Sequence, residues 1–220
     1  MYNIIKRLFD LIASLIAIII LLPVFIPIII LLKFSGEGEI FYFQKRIGYK
    51  NKMFDIWKFA TMLKNSPNMG TGSITLRNDP RVTSVGKFLR ITKINELPQL
   101  VNVLIGNMSV VGPRPLVQRT FDAYPVHIRE IVYNSKPGIT GIGSVIFRDE
   151  EKMISSSSMD PHEYYDRVIA PYKGALEEWY QQNKTLLTDL KIIFLTMWVV
   201  VFPESELPHK MFKSLPPKTL

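Results

Sequence analysis

Residues 11–32 form an uncharged run interrupted only by Ser14, Pro23 and Pro27, the strongest hydrophobic pattern in the chain. At 1.5 Å rise per residue an unbroken helix of that length reaches roughly 33 Å, about the thickness of a bilayer core. Pro23 removes a backbone donor near the middle and Pro27 does so again one turn later, so the pattern predicts a sharply bent membrane helix. Lys6 and Arg7 precede the run, and Lys33, Lys45, Arg46, Lys50 and Lys52 follow it. Positive residues favour the cytoplasmic side, and their presence at both ends predicts a re-entrant segment. Carbonyls freed at the bend need partners that lipid does not offer, with Ser14 a candidate. The run is too long for a cleaved signal peptide and no small-residue cleavage site follows it.

Beyond it the period changes. Residues 40–43 and 53–59 read as two short strands separated by Gly48, and residues 65–73, with Pro67, Gly70 and Gly72, as a loop. A helical pattern covers 85–90. Asn95 reads as the N-cap of a second helix, with Pro98 in its first turn and Gly106 at its end, which puts Glu96 beside a helix N-terminus. Residues 110–115 read as a rigid turn, 124–133 as a helix, and the stretch with Pro137, Gly138, Gly141 and Gly143 as a loop. The serines at 155–158 suggest an exposed linker ahead of a helix over 161–180. The apolar run at 192–202 is too short to cross a bilayer and belongs in the core or at the interface. The predicted organisation is therefore a re-entrant membrane helix at 1–34 and a small membrane-associated cytosolic domain at 35–220, α+β and mainly helical.

Composition narrows the chemistry. Lys+Arg 27 against Asp+Glu 19 gives a net charge of +8, which draws the chain toward anionic partners. The basic residues are dispersed and the chain begins in a membrane, which excludes nucleic acid and favours inner-membrane phospholipid. With no cysteine, disulfides and thiolate metal sites are ruled out, and His127, His162 and His209 lack metal-ligand spacing, so zinc is not expected.

Four clusters carry candidate chemistry. Arg90, Asn95 and Glu96 combine a cation, a helix start and a carboxylate able to hold Mg²⁺ against a phosphate. An alternative reading makes Asn95 a plain cap and Glu96 a complement to the helix dipole. Arg114 is bracketed by Pro113 and Pro115, which preset its guanidinium for bidentate phosphate binding or simply shape a surface turn. Asp79, in Asn78-Asp79-Pro80-Arg81, either joins a metal site or starts the following turn, and the turn is the favoured reading. The Lys136-Pro137-Gly138-Ile139-Thr140-Gly141 loop exposes amides that suit a nucleotide or merely turn the chain.

In their order these segments resemble the small monotopic phosphoglycosyl transferases known as bacterial sugar transferases. The resemblance covers nearly the whole chain. It rests on Lys6-Arg7-Leu8-Phe9-Asp10, Gln44-Lys45-Arg46-Ile47-Gly48, Asp79-Pro80-Arg81-Val82-Thr83, Leu89-Arg90, Glu96-Leu97-Pro98-Gln99-Leu100, Val111-Gly112-Pro113-Arg114-Pro115 and the Lys136–Gly141 motif. It implies a re-entrant helix and a Mg²⁺-dependent reaction at the cytoplasmic face of the bacterial inner membrane. There an Asp attacks the sugar-proximal phosphate of a UDP-sugar, UMP leaves, and polyprenyl phosphate takes the phosphosugar. The Glu that follows that Asp matches Glu96, a catalytic and metal-holding residue, and Arg90 and Arg114, with Lys58, match the phosphate-binding set. A homodimer through apolar surface beside the membrane is compatible with the pattern.

Two positions depart from the family. Asn95 stands where the family has its nucleophilic Asp, and a neutral amide does not form an acyl phosphate. Ala60 stands where the family commonly has an Arg. Three accounts follow, in order: Glu96 is the nucleophile; Glu96 holds Mg²⁺ while the lipid phosphate attacks directly; or the chain binds nucleotide sugar, or scaffolds a glycan-assembly complex, without turnover.

Overall fold

In a computed structural model, which describes residues 2–69 and 79–217, the apolar run folds into one long helix, α1 (Tyr2–Lys33). Pro23 and Pro27 both lie inside it. The helix continues across both prolines, so the sharp bend expected from them does not interrupt it. Its buried positions, Lys6, Asp10, Ser14, Ile28 and Leu32, recur at multiples of four within each end and share one face. The opposite face, including Leu8, Ile12, Ile16, Ile19 and Ile26, is apolar and exposed. α1 is long and apolar enough to cross a membrane by length and composition, and it gives the protein its membrane location.

Turns at Gly36 and Gly38, both with positive φ, lead from α1 into an antiparallel hairpin, β1 (Phe41–Ile47) and β2 (Met53–Phe59). Helix α2 (Ser84–Ile91) is capped by the Thr83 hydroxyl, which accepts from the Gly86 amide. Gly86 admits no side chain, since a Cβ there would meet the Thr61 carbonyl at 2.1 Å. Asn95 does not cap a helix as expected. It lies inside a 3₁₀ turn, Ile94–Glu96, entered through Lys93 in the left-handed region, and α3 (Gln99–Ile105) begins only after Pro98. The Asn95 side chain is 5% exposed with its carbonyl oxygen unpartnered, so it is not turned toward the helix amides. Glu96 thus sits upstream of α3 rather than at its tip.

The predicted turn and the predicted glycine loop prove to be two strands, β3 (Ser109–Val111) and β4 (Gly138–Thr140), paired in parallel. Three residues apiece, with Gly112 and Gly138 packed backbone to backbone, leave no alternating pattern by which to recognise a strand. Between them lie α4 (Gln118–Asp122) and α5 (Val126–Ile131), the latter shorter than the pattern at 124–133 because Pro125 caps it. Helices α6 (Ile142–Ile146) and α7 (Glu150–Ser156) follow, so the first two serines of the predicted linker are helical.

The helix expected over 161–180 is present as α8 (Pro161–Tyr164), a π-helical turn (Tyr165–Ile169) and α9 (Ala170–Asn183). Pro171 has no amide to offer the carbonyl of Arg167, and the widened turn just before it accommodates that loss. α10 (Leu186–Val201) and α11 (Leu207–Met211) complete the chain. Ile192, Leu195 and Val199 of α10 join Leu176, Tyr180 and Ile169 in the main core, while Ile28 and Leu32 of α1 pack with Phe59 and Leu89 in a second. Both ends of α1 therefore rest on the same body: the first turns on α3 and β3, the last on the hairpin and α2.

A Cβ at Gly138 would lie 2.1 Å from the Gly112 amide nitrogen and 2.3 Å from the Thr140 carbonyl. Because only backbone surrounds it, Gly138→Ala is expected to destabilise the protein by about 3 kcal/mol, measured by denaturant unfolding in detergent.

Candidate active site

The strand period places Gln44, Arg46 and Lys58 on one face of the hairpin, the face that carries Ile56 into a small core with Val103 and Met108 of the α3 region. Asn102 of α3 fixes the approach. Its side-chain oxygen accepts from the Trp57 amide at 2.9 Å and its amide donates to the Asp55 carbonyl at 2.8 Å, so a fully buried side chain stands in for a neighbouring strand along β2. That clamp brings the turn before α3 over Lys58. The Lys58 ammonium donates to Glu96 Oε1 at 3.0 Å.

The second cation comes from the β3 side. Gly112 to Pro115 leaves β3 and is held by Tyr133, whose buried hydroxyl donates to the Arg114 carbonyl at 2.8 Å and accepts from the Leu116 amide at 2.9 Å. Arg114 Nη2 then donates to the same Glu96 Oε1 at 3.0 Å. Arg46 completes the group: its guanidinium donates to Gln44 Oε1 and, at 3.2 Å, to the Pro115 carbonyl. Both Lys58 and Arg114 meet Oε1, and Oε2 is bonded to neither.

Charge follows from this geometry. Burial alone would push the Glu96 carboxyl up, but Arg114 and then Lys58 outweigh it and hold it well below the ordinary 4.5. Burial, followed in part by the neighbouring Arg114, brings Arg46 down to about 10. Burial brings Lys58 down to about 8 even with Glu96 beside it. The Glu96 charge raises Arg114 above its usual value. The site is thus one persistent anion among three cations, with a surplus of positive charge toward an anionic ligand.

Of the residues expected at the site, Glu96, Lys58 and Arg114 come together. Asn95 adjoins them, while Arg90 pairs with Glu151 of α7 at 3.8 Å. Asp79 forms a bidentate pair with Arg81 in the turn before α2, as expected of a turn residue. Among the described residues no group of three His, Asp or Glu side chains is placed to hold a metal. Gly70 and Gly72 of the predicted loop lie outside the described residues.

Sequence reasoning placed Arg46 in a family motif without giving it a role at the site, and did not single out Asn102, Tyr133 or a polar layer behind Arg114. In that layer Lys173 pairs with Glu150, and Glu177 is 1% exposed with neither carboxylate oxygen hydrogen-bonded. Burial raises Glu177 to about 7 against the pull of Lys173 and of the Arg114 amide, which lies near without bonding geometry. Gly143 makes room for it. The strand alternation around Arg46 was a usable signal; the buried residues of α9 carried none.

A family model described as bacterial sugar transferase matches residues 1–203. The chain is 35% identical to the exopolysaccharide production protein ExoY of Sinorhizobium fredii over 206 residues, 87% of this chain and 83% of that protein. It is 34% identical to the undecaprenyl-phosphate galactose phosphotransferase of Salmonella typhimurium over 210 residues, 89% of this chain and 40% of the relative. Against the UDP-glucose:undecaprenyl-phosphate glucose-1-phosphate transferase of Klebsiella pneumoniae, identity is 35% over 198 residues, 88% of this chain and 39% of the relative.

Since the folded Glu96 carboxyl titrates below 4.5, its pairs contribute fully above about that pH and their contribution is lost as pH falls through the folded value. Lys58→Met removes one of the two partners and is expected to cost about 1–3 kcal/mol at about pH 7. In denaturation curves the gap to the parent should close in acid. Lys58 acts in the same direction in its own window: between about 8 and 10.5 the unfolded chain keeps a proton the folded one has released, so the fold again gains stability as pH rises there.

Proposed function

The chain belongs to the bacterial sugar transferase family, and we propose that it transfers a sugar 1-phosphate from a UDP-sugar to undecaprenyl phosphate. UMP is released, and the product starts polysaccharide or glycoconjugate assembly at the cytoplasmic face of the bacterial inner membrane. The observation that carries this reading is the Glu96 carboxylate held between Lys58 and Arg114 on a body bound to a membrane helix. Such a site offers a permanent anion to a phosphorus atom or a metal, and cations to the oxygens of a diphosphate.

In the transfer, a bond forms from the attacking oxygen to the sugar-proximal phosphorus while the bond from that phosphorus to the bridging oxygen breaks, and the electron pair leaves on UMP. Glu96 is the attacking group in the first account, giving a glycosyl acyl phosphate that the lipid phosphate then takes up. In the second, the lipid phosphate attacks directly. The second gains support from Lys58 and Arg114, which draw electron density from Glu96 and weaken it as a nucleophile.

Magnesium suits the residues present. Glu96 Oε2 is bonded to neither cation and the Asn95 side-chain oxygen is unpartnered. A hard cation takes one or two such protein oxygens and fills its remaining positions with substrate phosphate and water. Glu96 would hold it, and the ion would neutralise charge on the diphosphate.

The contact of both α1 ends with one body supports a re-entrant helix whose exposed apolar face meets phospholipid. Because the chain has no cysteine, single cysteines placed at Asn3 and Ser35 report topology without background. Neither is expected to react with an impermeant reagent outside intact cells; labelling of only one would establish a true span.

The reaction is tested by UMP release from a UDP-sugar panel with undecaprenyl phosphate and Mg²⁺. Glu96→Gln is expected to lower release by about 100-fold or more. Release from the variant at the parent's rate would remove Glu96 from the reaction, and an inactive parent revived by Asn95→Asp would make the native chain a noncatalytic relative. Intact mass after UDP-sugar alone separates the routes, a phosphosugar adduct supporting the first.

A further inference from the structure

The first turns of α1 carry three charged residues, Lys6, Arg7 and Asp10, that an apolar anchor does not require. Asp10 is 2% exposed. β3 faces β4 through Ser109 and Val111, with the Ser109 amide donating to the Pro137 carbonyl, so by strand alternation the Val110 amide points to the other edge. Asp10 Oδ1 accepts that amide at 3.0 Å and the Ser109 hydroxyl at 3.1 Å. On the same helix Arg7 donates to the Val103 carbonyl at 2.7 Å and the Leu104 carbonyl at 2.9 Å, satisfying the exposed C-terminal carbonyls of α3. Lys6 is tied to Asp189 of α10 at 2.9 Å, and Asp189 also accepts from the Tyr180 hydroxyl, so this stretch of α1 is itself fixed to the core.

The two elements so held are those that bear the two halves of the central ion pair. Arg114 follows β3 by three residues, and Glu96 precedes α3 by three. We propose that Arg7 and Asp10 are positioning residues that set where Glu96 and Arg114 stand relative to each other, making the membrane helix part of the active-site frame. Burying an ionised carboxylate and a guanidinium carries a desolvation cost, and the backbone groups they grip offset it by fixing two short segments that have little core of their own. Arg7 Nη2 would lie 3.3 Å from a Cβ on Gly106, the residue in left-handed conformation that ends α3, so the guanidinium closes over that helix end.

The proposal rests on the transferase reading only for its kinetic arm. Its test uses the full chain in lipid nanodiscs, comparing Asp10→Asn and Arg7→Gln with the parent and with Ile16→Ala on the exposed face of α1. In hydrogen–deuterium exchange, Asp10→Asn should speed exchange of the β3–Arg114 segment about tenfold while peptides of α9 keep the parent's protection. Arg7→Gln should do the same for α3. Both variants should lose about 10- to 100-fold in kcat with KM for the UDP-sugar held within about twofold, whereas Ile16→Ala changes neither. Unchanged exchange and kcat in both variants, or exchange raised uniformly over the chain, overturns the proposal. If Asp10→Asn does not fold, Arg7→Gln decides by the same readings. A parent that releases no UMP defeats the transferase reading alone, because the exchange pattern still decides the positioning.

Discussion

One carboxylate oxygen shared by two cations from separate parts of the chain organises this protein. Glu96 Oε1 receives the Lys58 ammonium from the hairpin and the Arg114 guanidinium from the loop after β3. Both bonds are 3.0 Å long, and the three side chains are only partly shielded from solvent. An ion pair so placed is not a large source of stability, since desolvation consumes much of the attraction. Its consequence is chemical: the carboxylate stays ionised through the physiological range, and the cations remain poised at a spacing that a diphosphate can enter.

The surrounding architecture keeps those groups from drifting. Asn102 extends β2 with a side-chain amide, Tyr133 clamps both flanks of Pro115, and Gly112, Gly138 and Gly141 allow the backbones of the β3 and β4 region to touch. The role of these residues is support. Each fixes a segment too short to hold its own conformation, which is why the site depends on buried polar contacts rather than on the long helices that supply most of the core.

α1 has a double character. One face is a continuous apolar surface suited to lipid, and the other carries charges at its first turns and aliphatic residues at its last. A helix that only anchors needs nothing but the first face. The inward face ties catalytic geometry to the membrane element, so that chemistry on a lipid-borne acceptor and attachment to the lipid share one structural part.

The apolar helix, the strand at 53–59, a helix over 85–90 and the choice of Glu96, Lys58 and Arg114 as residues to look for together were legible in the chain itself. Hydrophobic length, strand alternation, capping chemistry and motif order are local signals and survive without coordinates. What they misplaced were features decided across the chain. Asn95 looks like a cap until its side chain is seen buried, and the glycine segments look like loops until they pair with each other. Arg46 reaches the site only because β1 faces α3, and Arg7 and Asp10 read as flanking charge until α3 and β3 are found against them. Local pattern reports the cost of a conformation to one segment; which distant backbone group a buried charge satisfies is settled only when the segments pack.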